Sequence, residues 1–392
     1  MISPNKDSDD NLFTFGGFNN YTISNMKFYK SKRSCLYIQY CGVGTIENCT
    51  FKDYGYVTKD QGYNNSSSSP EGLSFGYGII TTRSYFTNVV NCRSFSGWHG
   101  YEVSWGQTFA VFDNCSSLKD AYGFSTHEGV WDVRIKNCNI EGGAGITCRG
   151  FNLTILNSII KANVGHAISA PTHMQKLIIK NNLIETKSSA IYCSGARDES
   201  LFNYEKLVCI IDGNDFTSGV ETRIITLSEI DFINNNLKCN QTSSTTSASY
   251  ILSPTSSSTP EKVIKRVNII NNISHHFTGQ NVYMTNGDIL FAKNNYHTGS
   301  FGTYSNSGLF YNKCTTSYFI NNTSLSSMCL VRQMGSNTTT IELLKDNFLR
   351  ASYLVLGDAS LVTVKNAINN VSSSTTIFYG GSVANVVNHS KI

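Results

Sequence analysis

The chain has 392 residues, with 31 Lys and Arg against 27 Asp and Glu and a net charge of +4 at pH 7. That charge is spread thinly with no basic run, which sets nucleic acid aside as a partner. No apolar run approaches the roughly 18 residues a membrane span needs, which sets membrane insertion aside.

Asn, Ser, Thr, Gly, Tyr and Phe abound while Pro is scarce, a mix that suits many short strands with polar turns. The N-terminus, Met1 to Asp7, lacks the apolar core of a signal peptide. From there an apolar triplet followed by a polar turn residue recurs along the chain. The turn residues are Asn25, Asn48, Asn91, Asn114, Asn137, Asn157 and Asn181, then Gly213, Asn235, Asn271, Asn294, Asn321, Asp346, Asn366 and Asn388. Most copies lie about 20 to 25 residues apart, the mark of a solenoid. Each copy holds short alternating strands and no helical period. The expected fold is therefore all-β, a parallel β-helix of about 14 to 15 coils filling residues 1–392 as one domain. Each coil would bury its apolar residues against coils about 4.8 Å away. Stacked Asn side chains would bond the next coil's Asn and nearby backbone. Asn48-Cys49-Thr50 then reads as ladder chemistry and not as a glycosylation site.

Cys49, Cys92, Cys115 and Cys138 each follow a turn Asn, as small buried residues in a column; such free thiols suit assembly in a reducing cytoplasm. No CxxC pair or Cys/His cluster has zinc spacing, so no metal is expected. Longer spacings mark loop insertions near residues 53–74, 195–206 and 240–262. The first two bracket the Trp-rich coils as expected groove walls, and the Ser/Thr-rich third reads as a surface excursion. The repeat runs close to both ends, so the chain is expected to be part of a longer polypeptide whose other domains are missing.

All three tryptophans lie between Gly97 and Arg149. Aligning the copies there puts Ile79, Tyr101, Phe124, Ile146, Ile168 and Ile191 in one inward column. Thr81, Val103, Thr126, Cys148, Ala170 and Cys193 form another. Alternation then turns Ile80, Glu102, Ser125, Thr147, Ser169 and Tyr192 outward, and beyond them Thr82, Ser104, His127, Arg149, Pro171 and Ser194. Glu102, His127 and Arg149 thus fall on successive coils of one face, with Arg83, Trp105, Glu128 and His173 at the strand end. A salt-bridged polar face, Glu102 with Arg149, is one reading. A ligand groove is the other, because large exposed aromatics usually meet a partner. His99 and His166 read as turn or wall packing.

A groove of aromatics and carboxylates suits an extended polysaccharide. Hydrolysis needs two carboxyl groups; Glu102 and Glu128 are the expected pair, tuned by His127 and Arg149, with Asp132 in reserve. Elimination needs a base and a cation against a uronate carboxylate, for which His127 or His173 serves with Arg149. Trp98, Tyr101, Trp105, Trp131, Asp132, His173 and Arg83 are the expected substrate contacts. Endo-glycosidic hydrolysis is the first expectation and elimination the alternative, and the sequence does not separate the two.

The Asn-laddered coils with loop excursions resemble the pectate-lyase-like right-handed, single-stranded parallel β-helix superfamily. With no secretion signal, with reduced cysteines and with open ends, the chain is similar to bacteriophage tailspikes that act as capsular polysaccharide depolymerases. The resemblance implies a homotrimer that binds and usually cleaves a bacterial surface polysaccharide of capsule, O-antigen or teichoic-acid type, without an obligatory cofactor. It also implies a place in the virion tail beside other tail proteins, synthesis in the host cytoplasm and action outside the cell. A non-catalytic receptor-binding spike is the alternative from another class. The Asp cluster through which secreted pectate lyases bind calcium is not found.

Overall fold

The structure, a computed structural model, describes residues 11–31, 34–54, 76–171, 174–193, 208–225, 229–240, 248–253, 266–275, 281–298, 308–325, 329–333, 338–350, 353–358 and 360–392. All regular elements among them are strands with parallel partners, and the fold is a right-handed parallel β-helix. The chain divides into two compact units, residues 1–197 and 198–392.

In the first unit each coil contributes three short strands. The coil that carries the candidate site runs through His99–Ser104, Phe109–Asp113 and Ser116–Leu118. Each strand pairs in register with its counterparts one coil before and after. Tyr101 lies beside Ile79 and Phe124, and Glu102 beside Ile80 and Ser125. Phe124 continues to Ile146, Ile168 and Ile191. These are the columns expected from the repeat, and both inward ones are buried throughout. A fully buried Ile or Phe side chain stabilises by roughly 1.5–3 kcal/mol, so stacking supplies the force that closes each coil.

The turn between the second and third strands is built on a left-handed residue. Asn25, Asn48, Asn91, Asn114, Asn137, Asn157 and Asn181 all have φ between 50° and 58°. Asn tolerates this region far better than branched residues do. The side chains of Asn48, Asn91 and Asn114 form an exposed ladder: Asn91 Nδ2 donates to Asn48 Oδ1 at 3.3 Å, and Asn114 Nδ2 to Asn91 Oδ1 at 2.7 Å, while Asn137 Nδ2 donates to Asp113 Oδ1 at 2.8 Å. One residue on, the chain turns inward at Cys49, Cys92, Cys115 and Cys138, which are free and buried. The Cys49 N–H donates to Cys92 Sγ at 3.4 Å, so thiols serve as acceptors in this column.

The second unit repeats the plan with a different inner residue. Gly213, Asn234, Asn271, Asn294, Asn321, Asp346, Asn369 and Asn388 are left-handed. Two expected turn positions are displaced here. Asn235 is the inward residue after the turn, and Asn366 lies within the strand Val362–Ile368 beside Asn385. Inside, Asn235, Asn272, Asn295, Asn322, Asn347 and Asn370 are buried and stacked. Asn272 is typical. Its Oδ1 accepts from Asn235 N–H at 2.9 Å, and its Nδ2 donates to Phe232 O at 2.8 Å and to Asn295 Oδ1 at 3.1 Å.

Of the expected loops, residues 195–206 lie outside the described residues, as does the first beyond Tyr54. The third is not one excursion, because Tyr250–Ser253 is a strand with Tyr250 and Leu252 in the core. Ser and Thr on either side mask that short alternation.

Candidate functional site

The site is built on three successive coils of the first unit. Glu102 stands at the centre of the strand His99–Ser104. Alternation turns it away from the core column of Tyr101, yet it is buried, with 1 % of its surface exposed. On the same outer face Ile80, Thr82 and Ser104 are buried too. The expectation of a solvent-facing Glu102 is therefore corrected: its direction is outward, but its surroundings close over it.

Both carboxylate oxygens of Glu102 are occupied. Oε2 lies 2.9 Å from His99 Nδ1. Oε1 accepts from the Ser104 hydroxyl at 2.8 Å and lies 3.4 Å from His127 Nε2. Two imidazoles from neighbouring coils thus share one carboxylate. Both rings are mostly covered but keep an exposed edge, with side chains 14 % and 25 % exposed. Each is also held by aromatic contacts. The His99 ring meets Tyr77, Trp98 and Tyr122 at centroid distances of 5.3, 6.2 and 4.9 Å. Trp105 stacks on His127 at 5.6 Å. A carboxylate that fixes an imidazole by one nitrogen leaves the other to exchange a proton with a ligand. The arrangement is suited to general acid–base chemistry by His99 and His127.

His127 directly follows the strand Tyr122–Thr126, and its N–H donates to Val103 O at 3.0 Å. Arg149 lies one coil further on, exposed, with its N–H on Thr126 Oγ1 at 2.9 Å. Glu128 is exposed in the turn after His127. The Glu102–Arg149 ion pair of the alternative, polar-face reading is not formed; His99 and His127 lie against Glu102 instead.

Around this centre the strand ends project aromatic residues. Tyr40, Arg83 and Trp105 close three successive strands, each in the left-handed region at φ 54°, 47° and 33°. Such backbone is costly for bulky side chains and collects at binding sites. Trp105 is 54 % exposed. Arg83 lies over the Tyr40 ring at 5.4 Å and donates to its hydroxyl. Beyond the turn, Tyr85 packs edge-on to Phe109, and the half-exposed Trp131 leans on Phe151 at 5.2 Å. Exposed rings thus follow one another along the coil axis.

The remaining expected residues divide. Trp98 is partly exposed beside His99. Asp132 is held by Arg134 Nε at 3.1 Å. Tyr101 does not contact a ligand: it is fully buried, stacks on Phe124 at 4.6 Å, and donates its hydroxyl to Ser116 O at 3.0 Å. Its place in the inward column was already the stronger signal. His173 lies outside the described residues. His99 and Ser104 belong to the centre although His99 reads from the sequence as wall packing. A spacing of three residues along a strand assigns it to the face opposite Glu102, so the sequence offered no signal for this contact.

Residues 12–168, which enclose this site and lie within the first unit, match the family model described as a right handed beta helix region. No curated protein matches the chain. The fold is compatible with proteins that degrade or bind polysaccharides, and β-helix proteins include polysaccharide-processing enzymes.

Proposed function

We propose that the first unit binds an extended acidic polysaccharide of a bacterial surface along its aromatic face and cleaves it by β-elimination. The observation that carries this reading is the Glu102 carboxylate closed between two imidazoles that keep an edge in solvent. A glycosidase pair needs both carboxyl groups at the sugar. Glu102 reaches no sugar, so the Glu102–Glu128 pair loses its first member and hydrolysis loses ground. Elimination needs a base at the carbon next to a uronate carboxylate and a cation on that carboxylate. His127, oriented by Glu102 and backed by Trp105, is that base, and the exposed Arg149 one coil away is the cation. The C5–H bond breaks as its proton passes to His127, and its electrons form the C4=C5 double bond. The glycosidic oxygen leaves C4 and takes a proton from His99 or water. Trp105 and Trp131 offer flat faces to sugar rings above and below the reacting unit.

The test incubates the protein with uronate-containing and neutral capsular polysaccharides, reading new reducing ends and the ultraviolet absorbance of an unsaturated uronate. Both signals together, on the acidic glycans only, support elimination. Reducing ends without the absorbance overturn it in favour of hydrolysis, with Glu128 as the reachable carboxylate. Saturable binding without products leaves a receptor-binding module. His127→Ala is expected to lower kcat by roughly 10²–10⁴-fold. The trimeric virion spike implied by the resemblance is part of the proposal and is read by sedimentation equilibrium, where a monomer would remove it.

A further inference from the structure

The corner that carries Trp98 and His99 is held from beneath by a carboxylate that solvent does not reach. Asp120 is fully buried. Its Oδ1 accepts from the Gly97 N–H at 2.7 Å and from the Tyr54 hydroxyl at 2.8 Å. Its Oδ2 accepts from the Ser117 hydroxyl at 2.6 Å and from the Ser94 hydroxyl. Tyr54 and Ser94 are also bonded to each other through their hydroxyls. The strands Thr50–Lys52, Arg93–Phe95 and Ser116–Leu118 are successive rungs, so one side chain ties three coils together. Burial pushes the Asp120 carboxyl above the ordinary range, while the four donors oppose that push. A charge-capable group buried at such cost calls for a role.

The surrounding backbone is shaped to admit it. A Cβ on Gly97 would stand 1.9 Å from the Tyr54 ring, and one on Gly100 would stand 2.6 Å from Ser117 Oγ and 2.9 Å from Asp120 Oδ2. The residues after Asp120 grip the same corner from the other side. Ala121 N–H donates to Gly97 O at 3.0 Å, and Tyr122 N–H to Trp98 O at 2.8 Å. The next residue, His99, places Nδ1 on Glu102. We propose that Asp120 is a positioning residue of the site, which through the Gly97 N–H fixes the Gly97–His99 corner so that the His99 ring stays on Glu102. Its consequence for catalysis rests on the function proposed above; its effect on His99 does not.

The test uses protein labelled with ¹⁵N-histidine. Long-range imidazole correlations are recorded for the wild type, Asp120→Ala and Asp120→Ser, with His99→Asn to assign the His99 signals. In the folded Asp120 variants the His99 ring nitrogens are expected to move to the averaged shifts of a freely exchanging imidazole, while those of His127 hold. Asp120→Asn keeps an oxygen for Gly97 and is expected to restore the wild-type pattern. Tyr54→Phe and Ser94→Ala, which leave the Gly97 bond intact, are expected to leave it unchanged. On an acidic polysaccharide Asp120→Ala is expected to lower kcat by roughly tenfold or more at constant KM, the scale of a lost supporting bond. Unchanged His99 signals in a folded variant overturn the proposal. So does loss of the fold in both Asp120→Ala and Asp120→Ser, which would make Asp120 a folding determinant. If the wild type cleaves nothing, the proposed function fails while the imidazole signals still decide the role of Asp120.

Discussion

Asp120 and Asp113 show how one residue type takes opposite pH roles in one coil. Burial raises the folded-state pKa of Asp120 above the value in the unfolded chain. Its contribution is therefore fully present below the ordinary carboxylate value and is lost as pH rises through the raised one. Asp113 is lowered, first by its hydrogen bond from Lys136 at 2.9 Å. Its contribution is present above the ordinary value and is lost as pH falls through the lowered one. Urea unfolding in pH steps separates them. Asp120→Asn is expected to gain on the wild type as pH climbs from the ordinary carboxylate range. Asp113→Asn is expected to lose on it at lower pH, as pH climbs through the lowered value to the ordinary one, by no more than about 1 kcal/mol for an exposed pair, and to run parallel to the wild type above that. A flat difference for Asp120→Asn would show that its carboxyl is not raised. The sequence makes Glu102, His127 and Arg149 neighbours because the coil register can be read from Ile79, Tyr101 and Phe124. Alternation gives a side chain's direction but not what covers it, so the closure over Glu102 was not legible. His99 escaped because alternation assigns it to the face of Tyr101, whereas its ring meets Glu102. Asp120 escaped because nothing local marks a carboxylate whose donors come from residues 54, 94, 97 and 117.

At the scale of the element, the turn carries two ladders, and they respond differently to substitution. The outer one is exposed, and its function is conformational. Asn114→Gly keeps the left-handed φ of 52° at little cost, whereas Asn114→Val forces a branched residue into it and is expected to cost about 1–3 kcal/mol. The inner one is buried and its function is bonding. Asn272→Ala leaves Asn235 N–H, Phe232 O and Asn295 Oδ1 short of a partner. Each buried group left unmade costs about 1–3 kcal/mol, so the total is expected near the upper end of single-site effects. Cys115→Ala, whose thiol donates to Val89 O at a long 3.4 Å, is expected to cost about 1 kcal/mol. Equilibrium unfolding of the variants checks the order Asn272→Ala > Cys115→Ala > Asn114→Gly; equal losses at Asn272 and Cys115 would mean that amide and thiol columns are interchangeable. The outer ladder was legible because an apolar triplet before each Asn marks it. The Asn doublets that mark the inner one misplace the turn by one residue at Asn235, since either Asn of a pair fits the pattern.

Across the whole molecule the cysteines report how completely coil stacking removes side chains from water. All twelve are free and buried, in both units and in several columns. At Cys35, Cys314 and Cys329 burial opposes thiolate formation and pushes the thiol up to about 12. The thiolate is the species that reacts with a disulfide reagent, so burial guards each of these thiols twice, through access and through ionisation. Cys49 stands apart, because the hydrogen bond from its neighbour Cys92 lowers its thiol, against the opposing effect of burial. The native protein is therefore expected to react with an aromatic disulfide at neutral pH only on the timescale of local opening. Cys49 is expected to react first and Cys49→Ala to remove that earliest phase. In guanidinium chloride all twelve thiols should titrate at once. A fast native burst that survives Cys49→Ala would mean that a coil elsewhere opens readily, and mapping the modified residue would locate it.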